Sequence, residues 1–437
     1  MNSRSTRLLL AGLAIAALSP LRAADAALKP DAWGVSKPAW LDASLGLMES
    51  HDSNVFGVSV NPVGRANVAD QGSWVSTVSP KLTVDALPLC GLSGAEGIKT
   101  LTIGYAGEYS VFDHTHSEDN AKHTVVMKLK GGSGAWSFGV DNAFLYVDGS
   151  RVGPTFATAS AYSSALPRER RNQIQERPAA SLRFDTDRVF LRALASASYF
   201  NLLVDHHQPV GARTGYINFV NRSDANFGVD LGYKVSDLCS YLVGWRLGQQ
   251  IQARMPWGGT HSNNTYNRLV AGFEGKLLPW LSGSAMVGPD FRRYSDAPNL
   301  GITGASHTWL YAEGSLTAKL SAADSLKAAT KVWHWVSSTG STSYQDATYA
   351  IAYTHTFDRR FSVSPGVKFL AAKYDYPAVR NDQVWAFSMN ATYVVSRELS
   401  VSADYFSQQS RSRIPESIGP GRSFDQNVVS LSVKLAL

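Results

Sequence analysis

Two nearby segments of this sequence carry aromatic and charged residues at every second position. In an extended strand such residues point to the same face. Flat aromatic faces next to charged groups suit the C–H faces and the hydroxyl groups of sugar rings, so this chemistry would be carbohydrate binding. The candidates for such a platform are Trp309, Tyr311, Glu313, Trp333, Trp335, Lys327 and Lys331.

An alternative register leads to a different surface. A β-bulge in the second segment would turn Trp333 and Trp335 to the opposite face and would bring His334 inward. The tryptophans would then lie at a membrane interface, where amphipathic rings are common.

A second group of candidates lies in the long polar stretch at 150–172. Arg168, Arg170 and Arg171 cluster there, and a basic loop folded into a pore would narrow it and attract anions. We predict these arginines as constriction-loop residues.

Catalytic and metal-binding patterns are weak. His206 and His207 stand beside Asp205, and His114 and His116 form another pair. Two imidazoles without a regular third ligand are poor evidence for a metal site. The sequence has no nucleophile-elbow motif, no phosphate loop and no CxxC. We therefore predict no catalytic residues, no metal and no cofactor.

The elements that position these residues are strands. Val429, Leu431, Val433 and Leu435 alternate with polar or small residues, and similar alternation recurs in segments of about ten to fifteen residues. Short and long connections alternate between them. After residue 26 no apolar run is long enough for a membrane helix. The pattern predicts an all-β, transmembrane, antiparallel up-and-down β-barrel of about 18 strands (16–18).

The N-terminus resembles an export signal. Arg4 and Arg7 precede the apolar run Leu8–Leu18, and Ala24–Ala26 is an A-x-A cleavage site. We predict a signal peptide at 1–26, a periplasmic segment at 27–39 and the barrel at 40–437. The predicted location is the outer membrane of a Gram-negative-type bacterium, and the alternative for the first segment is a short membrane anchor.

The barrel size and the inward residues predict a water-filled lumen. Sixteen to eighteen strands leave an aqueous channel. Lysines and arginines outnumber acidic residues at the inward positions, which favours anions or anionic polymers. Luminal ion pairs without selectivity are the alternative. The formal net charge of +6 is mild, and we predict no nucleic-acid partner.

The two cysteines, Cys90 and Cys239, both fall in stretches that we interpret as periplasmic turns. A disulfide and two free thiols are both compatible with this placement.

Three stretches resemble a known family. They are Ser44–Phe56, Trp74–Asp85 and the closing hairpin Ser396–Leu437, which are similar to the outer-membrane β-barrel proteins of the "putative β-barrel porin 2" type. The resemblance implies a pore rather than a catalyst, and it implies an association with exopolysaccharide synthesis.

The function predicted from all of this is an outer-membrane pore for hydrophilic solutes, with polysaccharide export as the favoured cargo. One rival is a general or anion-preferring diffusion porin, and another is a surface enzyme or adhesin. An infolded constriction would favour the diffusion porin, whereas an open lumen with an aromatic track would favour export. The expected partners are outer-membrane lipid and lipopolysaccharide, the barrel-assembly machinery through the C-terminal strand, and exopolysaccharide or its export machinery.

Overall fold

A computed structural model of the chain describes residues 38–55, 72–92, 97–150, 171–203, 220–254, 261–296, 305–337, 343–374, 381–413 and 423–436. The predicted signal peptide at 1–26 and most of the segment at 27–39 lie outside these residues. Among the described residues, no helix is long and apolar enough to cross a membrane.

Eighteen strands account for most of the described chain. They are β1 (Leu41–Asp52), β2 (Ser73–Asp85), β3 (Ile98–Phe112), β4 (Asn120–Ser133), β5 (Trp136–Ser150), β6 (Arg171–Asp185), β7 (Val189–Asn201), β8 (Arg222–Ser236), β9 (Cys239–Gln252), β10 (Asn264–Leu278), β11 (Leu281–Tyr294), β12 (Ser306–Lys319), β13 (Asp324–Val336), β14 (Ser343–Thr356), β15 (Phe361–Tyr374), β16 (Asn381–Val394), β17 (Leu399–Arg413) and β18 (Phe424–Ala436). A short 3₁₀ helix at His116–Glu118 lies between β3 and β4.

The strands form one closed antiparallel barrel. Each strand pairs with its neighbours in the chain, and β1 pairs with β18 from Ser44↔Ala436 to Asp52↔Val428. Closure is what a spanning sheet requires, because an open edge would leave backbone N–H and C=O groups without partners in lipid. The predicted fold class and the strand count of 18 are confirmed.

Connections differ between the two ends of the barrel, which we call the turn end and the loop end. At the turn end, only two residues separate Ser133 and Trp136, and Gly134 there has a φ of +58°, which favours glycine. At another turn the backbone N–H groups of Arg360 and Phe361 donate to Asp358 and lower the pKa of its carboxyl group. Both cysteines also lie at the turn end. They are free, with Cys90 exposed and Cys239 buried.

Apolar side chains cover the outside of the barrel. They are therefore placed to contact lipid, and no second sheet packs against them in the described residues. Large exposed side chains such as Leu231, Val287 and Ile351 are about half accessible. Aromatic rings concentrate near both ends of this band, as outer-membrane barrels require at the two interfaces. They are Trp136, Trp280 and Phe357 near the turn end, and Trp74, Tyr109, Tyr199 and Trp385 near the loop end.

The main buried apolar cluster lies inside the barrel rather than between sheets. Its members come from β7 and from β13 to β16, all toward the loop end. They are Phe200, Trp335, Val336, Tyr344, Leu370, Ala372, Tyr374 and Val384, with Trp333 packed against them. The lumen is therefore partly filled at this end.

Candidate functional site

One side of the lumen is formed by β6 to β11 and is lined by buried arginines that are paired with carboxylates. We call this surface the arginine wall. Its arginines are Arg183, Arg192, Arg246, Arg268 and Arg292, and its carboxylates are Asp185, Asp230, Glu274 and Asp290.

Contacts between strands that are not neighbours show that these side chains face the lumen. Glu274 on β10 accepts hydrogen bonds from Arg183 on β6 and from Arg192 on β7, each at 2.8 Å. Arg192 also lies 2.8 Å from Asp230, which is fully buried. A buried guanidinium–carboxylate network is stable only when its charges stay matched.

The second half of the wall repeats this arrangement toward the loop end. Asp290 is fully buried and lies 3.0 Å from Arg268 and 2.9 Å from Arg292. Glycines on neighbouring strands give the long side chains room to lie flat. A Cβ atom at Gly228 would lie 2.2 Å from Cδ of Arg246, so only glycine lets that side chain reach Asp230.

Two further arginines have no carboxylate within ion-pair distance in the described part of the chain. Arg177 on β6 donates to Oε1 of Gln175 at 3.0 Å. Arg222 on β8 donates through Nη1 to the carbonyl oxygen of Val336 at 2.8 Å and to the Tyr344 hydroxyl at 3.1 Å. Both guanidinium groups lie close to the Phe200 ring, at 5.4 and 4.7 Å from its centroid.

The loop end of β13 separates from β12 and bends into the lumen, while β14 stays paired with β15 as far as Tyr344↔Tyr374. Pairing between β12 and β13 stops at Ala312↔Val332, whereas β13 and β14 stay paired as far as Val336↔Ser343. We call residues 332–336 and 343–347 the infolded hairpin.

Side chains of β8 and β9, on the arginine wall, hold the infolded hairpin by its backbone. Besides the bond from Arg222, Gln250 donates to the carbonyl oxygen of His334 at 3.1 Å and Gln252 to that of Ser337 at 2.7 Å. These bonds give hydrogen-bond partners to carbonyl groups in a segment that is not paired with β12. His334 stacks on Trp309 with 4.4 Å between ring centroids, and His334 has no exposed surface.

Apolar residues at lumen positions explain why the hairpin folds inward. Leu370 on β15 and Val384 on β16 oppose each other on the lumen face, and both are at most 2% exposed. In an open channel they would contact water. Trp335 and Tyr344 cover them, and burying a large apolar side chain contributes about 1.5–3 kcal/mol.

A cavity of about 550 Å³ lies beside the infolded hairpin. Five cations and three carboxylates contribute to its wall, together with aromatic rings and the hydroxyl groups of Ser181, Ser196 and Ser198. The cations are Arg177, Arg222, Arg246, Arg268 and Lys331, and the carboxylates are Asp141, Asp224 and Glu313. The lining therefore has a positive balance and many hydrogen-bonding groups.

Comparison with known families agrees with this architecture. A sequence model of the family described as Putative beta-barrel porin 2 matches residues 231–437, from the middle of β8 to the end of the chain. The matched part is similar to this family, and the molecule is a porin-like outer-membrane β-barrel, which we call the porin below. The predicted resemblance and the predicted outer-membrane location are confirmed, and such porins are typically channels without enzymatic activity.

Solved outer-membrane proteins of Pseudomonas aeruginosa resemble this porin at low identity. OpdK is 11% identical, with 91% of this chain and 99% of that chain covered and a TM-score of 0.41. OccK2 (OpdF) is 12% identical, with 91% and 98% covered and a TM-score of 0.43. OccK9 (OpdG) is 13% identical, with 91% and 98% covered and a TM-score of 0.41. No curated protein matches the sequence of the porin.

Five of the seven predicted sugar-binding candidates of the porin come together. Tyr311, Glu313, Lys331, Trp333 and Trp335 all line the cavity. The rings of Trp333 and Trp335 lie 4.2 Å apart, and Nζ of Lys331 lies 3.1 Å from Glu313 and 4.6 Å from the Trp333 ring centroid. These contacts place one indole pair between a cationic and an apolar surface.

The other two candidates lie elsewhere. Trp309 is covered by His334, and Lys327 pairs with Thr317 and Ala352 farther toward the turn end. The alternative register had placed either the tryptophans or His334 inward. In the porin the two tryptophans and His334 all lie inside the barrel. The reason is that the end of β13 separates from β12 and enters the lumen, so that both faces of the strand are covered.

The predicted constriction-loop arginines remain untested. Arg168 and Arg170 lie outside the described residues, and Arg171 is the first residue of β6, opposite Ser150. Within the described part of the porin, the segment that narrows the lumen is the infolded hairpin instead.

Arg222, Asp224 and Phe200 were missed by sequence reasoning. The stretch 205–222 has the polar composition of a loop, which hides the start of β8 at Arg222. An inward-facing Leu370 and Val384 would have been a usable signal, because apolar residues at lumen positions require a cover.

Histidine and acidic groups give no metal site in the residues that are described. Nδ1 of His114 lies 3.4 Å from Asp113, and Nδ1 of His116 lies 3.6 Å from Asp119, with both imidazoles mostly exposed. His206 and His207 fall outside the described ranges.

Proposed function

We propose that this porin conducts small hydrophilic solutes with a preference for anions, through a lumen that the infolded hairpin narrows at its loop end. The observation that carries the proposal is the hairpin itself. Val336 and His334 have no exposed surface, and Arg222 and Gln250 of the arginine wall donate hydrogen bonds to their backbone carbonyl groups. A lumen divided in this way admits single small solutes more readily than a polymer.

The charge of the remaining passage supports an anion preference. Several inward lysines have no carboxylate within ion-pair distance in the described ranges, and low-dielectric walls focus their field on the solution in the pore. They are Lys81, Lys128, Lys130, Lys319, Lys327, Lys368 and Lys434. The paired arginine wall adds little to this field, because its charges are matched locally.

Polysaccharide export is the second candidate, and one observation favours it. Trp333, Trp335 and Phe200 form an aromatic cluster in the lumen, in which the Phe200 ring centroid is 6.1 Å from that of Trp335 and Trp333 is only partly buried. Such a cluster suits successive sugar rings. Export would require the infolded hairpin to move aside, and it would require partner proteins that deliver exopolysaccharide to the turn end.

Conductance of the refolded porin in planar bilayers tests the first proposal. We expect discrete channels and, in a KCl gradient, a reversal potential of the sign for chloride preference. Dextran fragments of increasing length should cease to affect the current once they exceed a few sugar units. Absence of channels, or cation preference, would contradict the proposal, whereas current block that strengthens with chain length would favour export.

A further inference from the structure

Two guanidinium groups without carboxylate partners in the described residues line the cavity, of which Arg222 is buried and Arg177 half-buried. Arg177 and Arg222 both line it, and Arg222 is only 3% exposed. Nε of Arg222 has no hydrogen-bond partner among the residues that are described. Every arginine of the arginine wall, in contrast, lies within 3 Å of a carboxylate.

The neighbours of these two arginines do not balance their charge. The Phe200 ring attracts both by a cation–π interaction, which contributes about 0.5–2 kcal/mol. That is well below what a buried charge loses on leaving water. Asp224 lies two residues from Arg222, but its carboxylate accepts hydrogen bonds from Gln250 and Tyr266 at 2.7 and 3.0 Å. No carboxylate of the described residues therefore neutralises the two guanidinium groups.

We infer that Arg177 and Arg222 bind the carboxylate of a cyclic, polyhydroxylated acid, that is, a sugar acid, whose ring rests on the exposed part of Trp333. The inference rests on the proposed function and names a substrate class for it. Guanidinium groups bind carboxylates with paired, charge-assisted hydrogen bonds.

The ring is assigned from the other end of the site. Cζ of Arg222 lies 5.0 Å from the Trp335 ring centroid, so a carboxylate at the arginines would leave an attached ring near the indoles. Ser196, Ser198, Asn226 and Glu313 also line the cavity and offer partners to ring hydroxyls. A purely aromatic acid would gain no hydrogen bonds from these polar groups.

Current block by D-glucuronate, D-glucose and benzoate tests the inference. Glucose lacks the carboxylate, and benzoate lacks the hydroxyl groups. We expect glucuronate to block at a concentration about tenfold lower than either, which corresponds to one charge-assisted hydrogen bond. Equal block by glucose would overturn the role of the arginines, and equal block by benzoate would overturn the sugar assignment.

Variants separate the site from the general field of the lumen. Arg177→Gln should raise the half-blocking concentration of glucuronate about tenfold and leave that of glucose unchanged. Arg177→Lys should lie between, because lysine keeps the charge but loses the paired geometry. Lys434→Gln removes an equal charge from a lumen position outside the cavity, and through the general field it should change the glucuronate value by less than about twofold. A matching loss in Lys434→Gln would sink the inference.

An equilibrium measurement keeps the inference independent of conduction. Glucuronate should alter the tryptophan fluorescence of the detergent-folded porin, and Trp333→Phe should reduce that signal. Binding without channels would contradict the proposed function and support the site. Chloride-preferring channels without glucuronate binding would contradict the site and leave the proposed function standing.

Discussion

The two sides of the lumen hold similar side chains in different physical states. On the arginine wall, the exposed fraction of the arginine side chains ranges from 0 to 24%, and each arginine lies next to a carboxylate. On the opposite side, which we call the polar wall (the lumen faces of β17, β18, β1 and β2), Lys81 and Lys434 are exposed among serines and threonines. Buried charges that are paired stabilise the barrel, whereas hydrated charges without a partner determine the electrostatic potential in the pore.

The difference follows from what each side must support. The arginine wall receives the infolded hairpin, and Gln250, Gln252 and Arg222 bind the hairpin backbone. Arg292 in turn donates to Gln250 and Asn264 at 2.8 and 2.9 Å, which fixes the position of Gln250. Among the described residues, no side chain of the polar wall bonds to the infolded hairpin, and Lys81 and Lys434 stay exposed to water.

Shortening the infolded hairpin should have the largest effect. Replacing residues 334–345 by Asn-Gly joins Trp333 to Asp346, which are partners in the β13–β14 ladder, through a turn that favours a two-residue hairpin. Conductance should rise about threefold or more, since an 18-strand barrel without a constriction is a wide aqueous channel. Single-channel recording measures this.

The assembly of this variant must be checked separately. The folded barrel should still migrate differently on gels before and after boiling, because the retained pairs from Lys319↔Ser325 to Ala312↔Val332 keep β12 and β13 joined. A folded variant with unchanged conductance would show that the hairpin does not set the narrowest part of the passage.

Breaking a charge match should cost far more stability on the arginine wall than on the polar wall. Asp290→Asn leaves Arg268 and Arg292 without a carboxylate, and loss of one partner in a buried network costs about 3–5 kcal/mol. Asp404→Asn alters a single hydrogen bond from Asn390 at 2.6 Å and should cost about 1 kcal/mol. Urea unfolding in lipid vesicles, followed by tryptophan fluorescence, measures both. Equal losses of unfolding free energy in the two variants would contradict the claim that paired charges stabilise the arginine wall more than the polar wall.

These differences mark the limit of what the sequence could predict. Alternation alone placed Arg246, Asp290 and Lys434 on the inner face correctly, because strand geometry has a strict period of two. It could not predict that Arg246 is matched and Lys434 is not, since pairing depends on which strands face each other. Alternation also could not predict that the end of β13 bends into the lumen. No local signal in Lys331–Trp335 distinguishes a strand in the wall from a strand in the lumen.

A smaller effect should follow from weakening one contact of the infolded hairpin. Gln252→Glu removes the donor to the Ser337 carbonyl and keeps an oxygen for the N–H of Ser262. Loss of this bond, worth about 1 kcal/mol, should increase the frequency of brief high-conductance events about fivefold. Gln408→Glu is the matched control, because this equally buried glutamine donates to Gln426 rather than to the hairpin, and the variant should not increase the frequency of these events. Increased opening in both variants would mean that charge alone, rather than the contact, is responsible.

The smallest expected effect concerns ion preference. Removing two exposed lysines, Lys81→Gln with Lys434→Gln, should lower the chloride-to-potassium permeability ratio by less than about twofold, because salt screens exposed charges. Removing a matched pair, Arg183→Gln with Glu274→Gln, deletes opposite charges that lie 2.8 Å apart and should leave the ratio unchanged while reducing stability. Reversal potentials at low and high KCl measure both variants, and the lysine effect should shrink as salt increases. If the matched pair shifts the reversal potential as much as the lysines do, the arginine wall also sets the field, and the two walls differ only in rigidity.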